Sequence, residues 1–211
     1  MPLHLNPSFF NAILDTQYAI RVKGEIMRIV AGKNKGNILK SPKDLSVRPT
    51  SEKVREALFD ILGTSVIETC FLDLFAGTGA VGIEALSRGA KKVIFIEKEL
   101  KCIKIIKENL KKTENSQNAV VYKIDFLSGL KLLARKNYLL DYIFLDPPYN
   151  RGLVNISLLE ISKLLILRHN GLVIAQHYKR EKVMENLNNL KLFNQRVYGE
   201  CYLSFYDYVN I

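Results

Sequence analysis

The stretch Cys70-Phe71-Leu72-Asp73-Leu74-Phe75 runs straight into Ala76-Gly77-Thr78-Gly79-Ala80-Val81-Gly82, and few folds accept that order. An apolar run broken by one acid reads as a short buried strand. Glycines at this spacing let the chain turn tightly, offer backbone N–H groups at the turn, and allow a helix from Ala80 to about Arg88 to pack close to the sheet. Strand and helix go on alternating: strand Lys92 to Glu97, helix Lys98 to Lys112, strand 119 to 124, helix Phe126 to Arg135, strand 141 to 146. That alternation predicts a doubly wound, Rossmann-like α/β sheet of parallel strands joined by right-handed crossovers.

In such a sheet the carboxyl ends of the strands line one crevice, and here four of them end in acids: Asp73, Glu97, Asp125 and Asp146. Glu97 follows Gly77 by 20 positions, the separation at which a carboxylate can accept both hydroxyls of a ribose. The ligand therefore carries adenosine, but nicotinamide, flavin and S-adenosylmethionine binders all use this turn. Asp146-Pro147-Pro148-Tyr149 is more telling. Pro147 has a fixed φ, so the Asp146 carboxylate and the Pro147 carbonyl can face one NH2 group as paired acceptors, with the Tyr149 ring able to stack on the flat ring that bears the amine. A nicotinamide-dependent oxidoreductase leaves this motif unexplained, and a non-catalytic RNA-binding protein on the same scaffold predicts a degraded loop or motif.

Outside the sheet, Arg28 to Leu39 reads as a basic hairpin around Gly32-Lys33-Asn34-Lys35-Gly36. Thr50 is positioned to cap a helix with apolar Val54, Ala57, Leu58, Ile61 and Leu62, ended by Gly63 and covering a sheet edge. Later elements are a helix from Asn155 to Leu167, a strand from Leu172 to His177, a helix from Glu181 to Leu190, and a terminal hairpin of Asn194 to Tyr198 and Tyr202 to Val209. The 211 residues carry +10, and residues 1–50 hold eight basic groups against three acids, which favours a polyanionic partner. The lysines from Lys101 to Lys112 read as the solvated side of an amphipathic scaffold helix. Cys70, Cys102 and Cys201 are far apart and do not cluster with His4, His169 or His177, so neither a disulfide framework nor a metal site is expected, and a reduced cytoplasmic setting is. No apolar segment has the length of a membrane helix.

Asp73-Leu74-Phe75-Ala76-Gly77-Thr78-Gly79, Glu97, Asp125 and Asp146-Pro147-Pro148-Tyr149 together resemble the motifs of class I S-adenosylmethionine-dependent N-methyltransferases. With Met27-Arg28-Ile29-Val30-Ala31-Gly32 and Arg48-Pro49-Thr50 followed by Arg55-Glu56, the chain is more closely similar to the bacterial RsmD family, which methylates N2 of a guanine in 16S ribosomal RNA. The similarity runs from Met27 almost to the C-terminus. It implies S-adenosylmethionine held by Asp73, Ala76, Gly77, Thr78, Gly79, Glu97, Asp125 and Phe126. It also implies a catalytic Asp146, Pro147 and Tyr149, and RNA contacts from Lys33, Lys35, Arg48, Thr50 and Arg55. The expected organisation is an N-terminal extension of no assigned role over 1–26 and one methyltransferase domain over 27–211. Within that domain, 27–47 form an RNA-contacting hairpin and 48–211 the catalytic core. The expected partner is 16S rRNA in a 30S subunit or an assembly intermediate, met by a monomer. The acceptor motif also serves adenine N6 and cytosine N4 in DNA, so guanine and rRNA rest on the resemblance alone.

Overall fold

The computed structural model describes residues 27–42, 51–149 and 151–208. Eight strands form one sheet: β1 Cys70–Asp73, β2 Lys92–Glu97, β3 Ala119–Lys123, β4 Leu140–Leu145, β5 Leu167–Tyr178, β6 Asn186–Leu187, β7 Leu190–Tyr198 and β8 Cys201–Tyr208. Their order is β3-β2-β1-β4-β5-β8-β7-β6. The first five are parallel, and β8 pairs antiparallel with β5 and β7. The chain leaves β1 on one side to β2 and returns on the other to β4, so the switch point of the sheet lies between the ends of β1 and β4, beside Asp73 and Asp146.

Helices α1 Glu52–Leu62, α2 Ala80–Ser87 and α3 Leu100–Lys112 cover one face; α4 Phe126–Arg135 and α5 Leu153–Lys163 cover the other. The two apolar layers follow the strand alternation, with Phe71, Phe95, Phe144 and Ile174 facing the first and Leu72, Ile94, Ile143 and Val173 the second. All of α2 is buried. Gly82 permits this, because a Cβ there would come within 2.3 Å of the Phe95 ring.

Four expectations change. Helix α1 is capped by Ser51, whose hydroxyl accepts from Val54 N at 3.3 Å, whereas Arg48 and Thr50 lie outside the described residues. Its buried side is Val54, Arg55, Leu58, Phe59 and Leu62, and it lies on a face of the sheet, with the Phe59 ring 6.1 Å from that of Phe71. Strand β5 begins at Leu167, ahead of Gly171, and absorbs a register shift where Asn170 adopts φ 67°. Residues 181–190 contain no helix. Leu187 and Leu190 instead face each other across a tight β6–β7 turn in which Asn188 takes φ 40°, a conformation asparagine accepts and most helix formers do not.

The basic segment 27–42 is a compact loop closed by one antiparallel bridge, Arg28 to Ile38, with Leu39 N on Met27 O at 2.7 Å. It lies against α2 and α3. Gly32 has φ 81°, and any Cβ would collide with Ser87 O at 1.9 Å, so only glycine lets the segment meet the C-terminus of α2.

Candidate active site

The glycine loop is stitched to the sheet by backbone bonds from Ala76 N to Ile96 O at 3.1 Å and from Leu74 N to Phe144 O at 2.9 Å. Gly77 and Gly79 hold φ of 52° and 77°, which turns the chain upward and leaves α2 starting directly at the rim. Asp73 closes β1 beneath this loop, its Oδ2 accepting from Gly82 N at 3.0 Å. Burial pushes the Asp73 carboxyl up to about 7, against the Gly82 hydrogen bond and helped by the charges of Asp146 and Glu97. Three of the acids expected at the rim thus act on one another.

Glu97 is already committed. Its Oε2 accepts from Gly77 N, and its Oε1 from Lys98 N and Glu99 N, all at 2.8 Å. A carboxylate has roughly four acceptor positions, so a ribose would have to share or replace these donors. Asp125 is exposed and caps α4 through Ser128 N at 3.0 Å, and hydrogen bonds from the Ser128 hydroxyl first and its backbone N–H second hold its carboxyl below the usual range. Beside it the rings of Phe126 and Phe75 lie 5.0 Å apart. Thr78 is buried and its hydroxyl points to Met27 Sδ at 3.6 Å, so the loop reaches the rim through its backbone.

Asp146 follows β4 half-buried, Pro147 is buried and Tyr149 half-buried. The Tyr149 hydroxyl is anchored: it receives Gln176 Nε2 at 3.1 Å and lies 3.2 Å from Cys201 Sγ. One side of its ring runs beside Tyr178, with centroids 6.1 Å apart and planes 25° from parallel. The Tyr178 hydroxyl is in turn held by Glu200, which also binds Lys179. The sequence did not single out Gln176, Tyr178 or Cys201 for this site, although a glutamine directly after the apolar run Leu172 to Ala175 was a legible signal.

The remaining expected contacts divide. Lys33 and Lys35 are exposed, but Lys33 N binds Ser87 O at 2.8 Å, so both lie at the far end of α2 from the glycine loop, about 12 Å along that helix. Arg55 is corrected outright. Its side chain is 1% exposed, 3.5 Å from the buried Glu84 carboxylate, and donates to Arg28 O, so it anchors the basic segment and cannot touch RNA. Glu84 also accepts from Val30 N, Ala31 N and Arg88 Nε at 2.8–2.9 Å. Among the described residues no group of three His, Cys, Asp or Glu side chains is placed to hold a metal ion.

The family described as Conserved hypothetical protein 95 matches residues 27–207. Among curated proteins, the putative rRNA methyltransferase YlbH of Bacillus subtilis is 36% identical over 85% of this chain and 98% of its own length. Ribosomal RNA small subunit methyltransferase D of Buchnera aphidicola from Acyrthosiphon pisum is 33% identical over 86% of this chain and 94% of its own. The chain belongs to this RsmD family. Solved structures agree: a hypothetical protein of Thermus thermophilus superposes with TM-score 0.76 at 31% identity, covering 86% of this chain and 99% of that one. The putative methyltransferase yhhF from Escherichia coli gives 0.73 at 28%, covering 87% and 98%.

Proposed function

We propose that this S-adenosylmethionine-dependent methyltransferase modifies the exocyclic N2 amine of a guanine in 16S rRNA, as a monomer acting in the cytoplasm on a 30S subunit or an assembly intermediate. The observation that carries the reading is that Asp73, buried beneath the glycine loop, ends β1 next to β4, the strand that runs into Asp146 of the acceptor motif. A buried carboxyl flanked by two further acids suits a cationic ligand, and S-adenosylmethionine bears a sulfonium and an ammonium. When bound, the cofactor supplies an electrophilic methyl group.

The chain's own residues do the rest. Asp73 and the backbone of Ala76 to Gly79 bind the methionine end, Glu97 the ribose, and Asp125 with Phe126 the adenine. The Asp146 carboxylate and Pro147 carbonyl accept the two hydrogens of the target amine, turning its lone pair away from conjugation and toward the methyl group. The Tyr149 ring stacks on the extruded base and fixes its plane. No strong base is required, because the nitrogen becomes acidic as it alkylates and Asp146 is at hand to receive the proton.

The test is label transfer from tritiated S-adenosylmethionine to 30S particles, or their RNA, from cells lacking the endogenous activity, followed by nucleoside analysis. N2-methylguanosine from the wild type, formed about 10² to 10³ times more slowly with Asp146→Ala, is the expected result. Label on adenine, cytosine or DNA overturns the substrate.

A further inference from the structure

The rim is acidic, so a polyanion reaching it must be held by charge located elsewhere. The fold supplies that charge by laying two separate stretches of sequence side by side. Residues 27–42 and 98–114 carry ten basic groups against three acids, a net +7 of the protein's +10 in 33 of its 211 residues. Lys40 N and O both bind the side chain of Asn109, Lys112 Nζ donates to Ile38 O at 2.6 Å, and Asn34 Nδ2 reaches Thr113 O at 3.2 Å. Of the three acids, Glu108 is already held by Lys40 Nζ at 2.7 Å. Lys33, Lys35, Lys104, Lys107 and Lys111 remain exposed. The sequence alone assigned the helix lysines to a solvated scaffold; the packing joins them to the basic segment.

We infer that α3 and the segment 27–42 form one composite phosphate-binding surface that grips a helical part of the substrate RNA away from the target base. This rests on the RNA reading above and extends it to residues outside the catalytic rim. Helix α3 starts at the rim and runs down it for about 18 Å, enough to follow several phosphates of a duplex rather than a single one. Asn109 ties the surface to the site, because its Nδ2 also donates to Thr78 O in the glycine loop at 3.2 Å. The grip is thereby fixed in position relative to Asp146, and the surface sets which base arrives at the pocket without reading its sequence.

The experiment uses the full chain with Lys104→Gln, Lys107→Gln and Lys111→Gln combined. Its charge-keeping counterpart carries arginine at the same three positions, and a control has Lys131→Gln, Lys136→Gln and Lys163→Gln on the opposite face. Affinity for 30S particles and 16S rRNA is measured against salt, beside methyl transfer and cofactor affinity. The glutamine triple is expected to bind about tenfold more weakly at 0.15 M salt, with a salt slope shallower by about 2 to 3, since each lost phosphate contact removes roughly 0.7–0.9 from it. Its KM should rise with kcat and cofactor affinity unchanged, and the arginine triple should restore binding. Unchanged RNA affinity and slope in the glutamine triple, with the wild type still methylating RNA, overturns this inference and leaves the proposed function standing. An equal loss in the opposite-face control overturns it as well. A wild type that neither binds nor methylates RNA removes both.

Discussion

The rim at the carboxyl ends of β1 to β4 and the flank formed by α3 with residues 27–42 are built from opposite charges on one scaffold. At the rim the neighbours of Asp73 that bear on its charge are Asp146 and Glu97, all of one sign. On the flank the side chains that cross between elements are lysines and amides, with Glu108 as the acid, already held by Lys40. At physiological salt the Debye length is about 8 Å, shorter than the roughly 12 Å from the glycine loop to Lys33, so the charge of Lys33 is largely screened at the rim. Each region must meet its own ligand directly, the rim a cation and an amine, the flank a phosphate chain. A basic protein with an acidic catalytic edge is thus a division of labour.

The sharpest way to break this division is at Asp146. Asp146→Ala should lower kcat by about 10² to 10³, the usual consequence of removing one pre-placed electrostatic group, while RNA affinity stays within about twofold. Steady-state transfer and equilibrium binding on the same preparation check it. A parallel loss of RNA affinity would show that the rim helps to hold the polyanion and would dissolve the contrast.

A change at Glu84 attacks the join between the two regions. Its buried carboxylate satisfies Val30 N, Ala31 N and Arg88 and sits against Arg55. Burial draws the Arg55 guanidinium below its ordinary value, with Glu84 as the main opposing charge. Glu84→Ala strands that cation and two N–H groups, a loss of about 3–5 kcal/mol, which for a domain of this size is on the order of 10 °C in Tm. Thermal unfolding measures it. A shift of only a degree or two would mean that the basic segment stays docked without its anchor.

What could be read in advance was local. The glycine loop, the strand-ending acids and Asp-Pro-Pro-Tyr are contiguous, and each carries its geometry in its own residues. Arg55 was misassigned because its partner Glu84 is 29 positions away, and spacing cannot separate an exposed arginine from one neutralised across the fold. The segment 181–190 has apolar residues at helical intervals, yet Leu187 and Leu190 are buried by pairing with each other, a tertiary choice that Asn186, Asn188 and Asn189 permit. The merging of the α3 lysines with residues 27–42 depends on Asn109 and Asn34, polar residues that no periodicity singles out.

The acidic rim has its own pH signature. With its carboxyl raised to about 7, Asp73 in the folded chain binds a proton that the unfolded chain releases near 3.8. Its contribution therefore weakens the free protein as pH climbs from about 4 to 7 and is level above that. A cationic cofactor favours the ionised form and reverses the trend. Its affinity should rise about eightfold between pH 6 and pH 7.5 as Asp73 gives up its proton, and the rise should vanish in Asp73→Asn. Calorimetric titration at the two pH values decides it; an equally steep rise in the variant would assign the effect to another group.

The smallest expected effect concerns how the rim holds an aromatic plane without charge. Gln176 is buried, gives its amide N–H to the Tyr149 hydroxyl, and its Oε1 has no hydrogen-bond partner among the described residues. A hydrogen bond of this kind contributes about 1 kcal/mol net, so Gln176→Leu should lower kcat about fivefold through a looser Tyr149 ring, with cofactor affinity unchanged. Tyr149→Phe removes the other end of the same bond. If the amide acts by orienting the ring, adding Gln176→Leu to Tyr149→Phe should cost little more, and the cycle of single and double variants should show coupling near the full effect. Additive losses would mean that Gln176 serves the pocket by a route independent of Tyr149. Salt should not alter either result, because no charge is involved, whereas every effect on the flank should shrink as salt rises.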